Sequence, residues 1–196
     1  MQLATTSLAL SIAAGTLLLA APPARADVVA AYVEGHGGLS SLEGSGPGRA
    51  TTSSQGSGVA PGLGFQVGAR VLIFEGYFDR TSFGSGAAAS RGILGLRGAL
   101  GAGDLKLVLR VGGGVLWEEG GALDGTQTIV GDRSGAVARA GLAIERRLTP
   151  GQLTAGLGLD GEVFSLAGST AASSLAQRTQ GSDIFLSLRF KFELGI

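Results

Sequence analysis

The side chains able to do chemistry are few, beginning with a single histidine, His36, and no cysteine at all. A histidine-dependent hydrolase needs its imidazole within hydrogen-bond reach of a nucleophile and held by an acid. Glu34 precedes His36 by two positions and Ser40 and Ser41 follow it, but none stands in a recognisable hydrolase motif. The reading is therefore non-enzymatic, with no catalytic residue. One histidine cannot build a multi-histidine metal centre, and the lack of cysteine removes thiolate ligands, disulfides and a cysteine nucleophile. Glu118, Glu119, Asp124 and Asp132 make one segment acidic, yet without EF-hand spacing they read as a solvated loop, so no metal is expected. Gly112-Gly113-Gly114 and Gly62-x-Gly64 lack the lysine and following helix of a phosphate-binding loop; glycine within a strand more often marks bending or close packing. No cofactor is expected. Fifteen basic and fifteen acidic side chains leave no net charge, so nucleic acid is not expected as a partner either.

The remaining charged residues must then be placed by the elements that carry them. Residues 1–26 contain Leu8 to Ala14 and Leu17 to Ala21, then Pro22-Pro23 and Ala24-Arg25-Ala26. An apolar stretch closed by small residues of this kind predicts a cleavable secretory leader and a mature domain of residues 27–196. Beyond Ala26 no apolar run approaches the roughly 20 residues of a helical span. If the chain crosses a membrane it crosses as strands, and these must close on themselves so that no backbone group is left unpaired in lipid.

Alternation of apolar and polar residues is plain along most of residues 27–196. Ile184, Leu186, Leu188, Phe190, Phe192, Leu194 and Ile196 share one face of the last strand, opposite Ser187, Arg189, Lys191 and Glu193. The same period of two runs through Gln152 to Phe164, Ala136 to Leu148, Leu105 to Glu118, Ile93 to Leu100, Leu72 to Asp79, Val59 to Gly68 and Val28 to His36, predicting eight strands. Turns are expected at Gly68 to Val71, Gly101-Ala102-Gly103-Asp104 and Pro150-Gly151. Long polar loops are expected at Gly37 to Gly58, Thr81 to Gly92, Glu119 to Gly135 and Ser165 to Ser182, alternating with the short turns. The predicted fold is all-β: an eight-stranded antiparallel up-and-down transmembrane barrel with short periplasmic turns and long extracellular loops.

Period alone does not say which face is inside, but residue size does. The mixed face sets Gly, Ala and Ser among long charged side chains, as a narrow eight-stranded lumen requires. That assignment sends Glu34, Glu75, Asp79, Glu145, Asp160, Glu162 and Glu193 inward with Arg97, Arg110, Arg139, Arg189 and Lys191, joined by Glu118, Lys106 and Arg147. Charges in such a space must pair, so a charged plug is expected. Ile73, Val108, Leu116, Val137 and Phe164 read as scattered inward filler. Trp117 and Phe78 are expected near the outer ends of the strands, and Phe65, Phe190 and Phe192 near the inner ends, as two interfacial girdles.

On this alternation and topology, residues 27–196 resemble the small outer-membrane β-barrel superfamily that includes the opacity proteins and the membrane domain of the major outer-membrane protein A. The resemblance implies a bacterial outer-membrane location, outer-membrane lipid around the barrel, and recognition of the last strand, Leu186 to Ile196, by the barrel-assembly machinery. It also implies a structural or surface-interaction role, the alternatives being an OmpW-like conduit for apolar solutes and, behind that, a lipid-modifying enzyme. The loops are rich in Gly, Ser, Thr and Ala with few aromatic anchors, so the sequence names no extracellular ligand.

Overall fold

The computed structural model describes residues 29–45, 49–51, 57–83, 86–101, 103–122, 127–129, 132–148, 152–170 and 173–195. The expected leader, Asp124 and the Pro150-Gly151 turn fall outside them. The strands are β1 (Val29–Ser45), β2 (Arg49–Thr51), β3 (Ser57–Val71), β4 (Phe74–Phe83), β5 (Ala87–Leu100), β6 (Leu105–Glu119), β7 (Gly121–Ala122), β8 (Gln127–Ile129), β9 (Arg133–Arg147), β10 (Leu153–Thr170) and β11 (Ser173–Gly195). Eight of them form a closed barrel in the order β1-β11-β10-β9-β6-β5-β4-β3, and every pairing is antiparallel.

The alternation in sequence becomes inside and outside. Along β11, Leu186, Leu188 and Phe190 are each 54% exposed, whereas Ser187, Arg189 and Lys191 are 2%, 5% and 4%. With the same leucine, valine and phenylalanine rows on the other strands, the outer wall is an apolar belt, which only lipid can cover without cost. Inside, glycine makes room for long side chains. A Cβ on Gly158 would run into the guanidinium of Arg189, and one on Gly141 into the carboxylate of Asp160.

Several boundaries differ from the sequence reading. The loop expected at Thr81 to Gly92 is mostly strand: β4 continues to Phe83 and β5 starts at Ala87. The loop expected at Ser165 to Ser182 is the top of a tall hairpin, since β10 reaches Thr170 and β11 starts at Ser173. Strands also enter the loop expected at Gly37 to Gly58, where β1 runs to Ser45, and at Glu119 to Gly135, where β9 starts at Arg133. The turn expected at Gly68 to Val71 is the end of β3, and the chain reverses at Leu72-Ile73. Leu72 has φ +57°, so a left-handed residue makes this turn without glycine. Ile73, read as inward filler, is 44% exposed in the turn. Gly101 and Gly103, with φ +144° and +68°, form the β5–β6 turn where it was expected.

The rim at the far end from these turns is uneven. At about 2.5 Å of rise per residue in a tilted strand, ten-residue β4 spans about 25 Å, one apolar band, while β11 at 23 residues reaches more than twice as far. The two long connections, between β1 and β3 and between β6 and β9, rise from opposite sides of the ring. They meet in a three-stranded sheet of order β2-β8-β7, which bridges the mouth.

Candidate functional site: the charged lumen

Polar side chains of the eight strands converge inside the barrel, in layers set by their distance from the turns. Nearest the turns, Arg70 on β3 donates to Glu193 on β11 at 2.8 Å. Lys191 lies 3.5 Å from Glu193 and donates to Glu145 on β9 at 2.7 Å. Arg97 on β5 reaches the same Glu145 at 3.1 Å and Glu75 on β4 at 3.9 Å. Arg110 on β6 stands among three carboxylates, Glu34 at 3.3 Å, Glu75 at 3.5 Å and Glu145 at 3.9 Å.

Farther from the turns, Arg189 bridges Glu34 and Asp160, and Arg139 bridges Asp160 at 3.2 Å and Asp79 at 3.7 Å. Arg91 on β5 closes the chain of pairs. Its Nη1 lies 3.0 Å from Asp79, and its Nε and Nη2 each donate at 2.7 Å to the two oxygens of Glu162, the bidentate fork that guanidinium favours. The connected network thus holds seven cations, Arg70, Arg91, Arg97, Arg110, Arg139, Arg189 and Lys191, and seven anions, Glu34, Glu75, Asp79, Glu145, Asp160, Glu162 and Glu193. Equal numbers matter here, because an unpaired charge in a space this poor in water typically costs several kcal/mol.

All twelve network residues singled out in the sequence lie in this chain of pairs. Two members were missed: Arg70 sat in the misplaced turn and Arg91 in the misplaced loop. The full inward assignment, eight acids against seven bases once Glu118, Lys106 and Arg147 are counted, was too nearly balanced to signal their absence. Arg147, assigned inward, is exposed at the turn-end rim. Glu118 pairs instead with Arg133 at 2.6 Å near the opposite mouth.

His36 is buried within the lumen, its Nε2 3.3 Å from the Thr81 hydroxyl and 3.6 Å from Asp79, with the Phe185 ring edge-on at 5.7 Å. Ser40 lies four residues along the same strand face, about 13 Å away at strand rise, so it is out of reach of the imidazole.

Overlapping the Arg91 end of the network and continuing toward the loop end lies an apolar cluster, of which the sequence reading had only Leu116, Val137 and Phe164, as scattered filler. Ala60, Phe83, Ala87, Ala89, Ile93, Leu116, Val137, Phe164 and Leu166 form one buried cluster, with Tyr77 packed against it. They belong to the loop-end half of their strands: Phe83 closes β4 and Ala87 opens β5. Val108, also read as filler, is buried nearer the turns. On the outside, Phe65 and Phe78 contact each other at 6.3 Å between ring centres. They occupy one level of the wall, not the two opposed girdles expected for them.

No family model and no curated protein sequence matches the chain. Solved structures do. The crystal structure of Neisserial surface protein A aligns over 83% of this chain and 97% of its own, at 13% identity and a TM-score of 0.56. The solid-state NMR structure of outer membrane protein AlkL in lipid bilayers covers 89% and 95%, at 13% identity and a TM-score of 0.45. The N-terminal β-barrel domain of Pseudomonas aeruginosa OprF covers 83% and 97%, at 13% identity and a TM-score of 0.41. At such identities the likeness speaks for the fold alone. With its closed ring of eight antiparallel strands and its apolar outer wall, the chain has the fold of the small outer-membrane β-barrels.

Proposed function

We propose that this protein is a sealed barrel of the bacterial outer membrane, with a structural or surface-interaction role and no enzymatic activity. The observation that carries the reading is the filling of the lumen by a balanced ion-pair network toward the turn end and an apolar cluster that overlaps it at Arg91 and Leu116 and continues toward the loop end. The recess beside Arg91, Arg139 and Asp160 and the one beside Glu75, Tyr77 and Arg110 have volumes of about 10 Å³ each, room for about one water apiece. Neither admits a solute. An imidazole held inside an ion-pair network has no space beside it for a scissile bond, which supports a non-enzymatic role. Outer-membrane lipid is the partner of the apolar belt. The alternating end of β11 is the segment offered to the barrel-assembly machinery, and a binding partner would meet the bridged, loop-bearing end.

The test starts from protein extracted from the envelope of cells expressing the full chain. Outer-membrane fractionation, an N-terminus at Asp27, a mobility shift between boiled and unboiled samples and electrical silence in a planar bilayer are expected together. Steady single-channel conductance would replace the sealed reading with that of a conduit. Absence of a heat-sensitive mobility shift would remove the membrane-barrel reading itself.

A further inference from the structure

The turn end of the lumen opens into a recess of about 60 Å³, room for roughly four waters and so of the size class of a small tetrahedral anion. Five cationic side chains line it: Arg70, Arg97, Lys106, Arg147 and Lys191. Three acids lie there too, but two are already engaged. Glu145 takes Arg97 and Lys191, and Glu193 takes Arg70 and Lys191; Asp104 is exposed on the turn. Lys106 stands directly across the sheet from Glu145, yet among the described residues neither Lys106 nor Arg147 is ion-paired. Arg70, nine-tenths buried, presents an Nε with no hydrogen-bond partner. The recess therefore combines surplus positive charge, an unused donor and space.

We infer that this recess is a binding site for a small oxyanion of the phosphate class, held by Lys106 and Arg147 at the mouth and Arg70 at the wall. Guanidinium and ammonium donors around a pocket of this size match the charge and tetrahedral oxygens of phosphate. The anion's source is either free phosphate in solution or a lipid phosphate headgroup reaching over the rim. The site does not depend on the sealed-barrel proposal, since its recess lies at the turn end of the charged layer whether or not the lumen beyond is sealed.

Calorimetric titration of inorganic phosphate into the purified protein in an uncharged maltoside detergent tests it. Saturable one-site binding is expected, weakening as sodium chloride is added. The double variant Lys106→Gln/Arg147→Gln, which touches no ion pair of the network, should keep the heat-sensitive mobility shift. It should also lose at least about tenfold in affinity, the usual scale for losing a charge-assisted contact. Repeating the titration in phosphatidylglycerol nanodiscs separates the sources: binding retained there marks a soluble anion, and binding lost only there marks a headgroup already in place. No saturable binding in detergent, or equal binding by the folded double variant, would overturn the proposal.

Discussion

The two halves of the lumen are built by the same strands with the same alternation, yet they are filled by opposite means. In the turn-end half most of the long inward side chains are charged, beside the Tyr32–Gln66 pair, and Arg110 and Glu145 each draw partners from three other strands. In the loop-end half, nine apolar residues pack without needing specific partners. Ion pairs are directional and costly when incomplete, whereas apolar packing tolerates exchange at constant volume. The first half is therefore suited to fixing strand register, because a slip of one residue would turn that strand's inward charges toward the lipid. The second is suited to excluding water, since its apolar cluster offers nothing for an ion to coordinate. Sealing and specifying the barrel are separate tasks performed at separate heights.

The strongest way to break this division is to remove the cation with most partners. Arg110→Ala leaves Glu34, Glu75 and Glu145 short of positive charge and should cost about 3–5 kcal/mol of stability. Urea unfolding in lipid vesicles, followed by the fluorescence of Trp117, the single tryptophan, gives the number. Single-channel recordings of the same variant should stay silent, because the apolar layer above is untouched. A stable Arg110→Ala barrel, or one that conducts, would show that the two layers do not divide the work in this way.

The complementary change is Leu116→Ala in the apolar layer, where the side chain is fully buried. It should cost about 2–4 kcal/mol by leaving a cavity. Combined with Leu166→Ala it should admit ion leakage in a planar bilayer while the ion pairs below persist. Silence from the double variant would assign the seal to the charged layer instead.

Much of this contrast was legible in the sequence, and the failures have physical causes. The charged half was readable because period-two alternation of Glu and Arg against Leu and Phe has one explanation in a narrow barrel. The apolar half was not, because its walls use small residues. Ala87, Ala88, Ala89 and Ser90 have the composition of a loop, but they are small because Phe83, Leu116, Phe164 and Leu166 fill the space within and the side chains of Arg80 and Trp117 cover the wall outside. Arg91 was lost with that segment. The β3–β4 turn was displaced because Leu72-Ile73 carries no turn chemistry, neither glycine nor proline, and Arg70 was lost with it. Charge balance could not have recovered the two arginines, since the inward assignment, with Glu118, Lys106 and Arg147 counted, held eight acids and seven bases.

Smaller effects sharpen the comparison at single contacts. Gly141→Ala places a methyl group against the Asp160 carboxylate, which must shift while holding Arg139 and Arg189. A loss of about 1–3 kcal/mol in the same urea assay is expected, on the scale of overpacking a filled site. At Gly161, where an added Cβ meets nothing within 4 Å on the outer wall, alanine should be close to neutral. Equal losses at the two glycines would point to strand propensity, not lumen crowding, as the reason for glycine here.

The smallest effect is expected where an ion pair lies outside the barrel. Arg80 on β4 reaches across β5 to Glu119 at the end of β6, donating at 2.6 and 2.7 Å to its two oxygens, and also contacts Ser90. Its geometry is as good as that of Arg91 with Glu162, but the two side chains are 35% and 50% exposed, so water and salt screen the attraction. Glu119→Gln should leave the unfolding midpoint where it is, at low and at high salt alike. If the midpoint instead falls, and falls equally at both salt concentrations, the pair is not in water. The lipid must then reach the level of Glu119, and the apolar band must extend past Trp117 toward the bridged mouth.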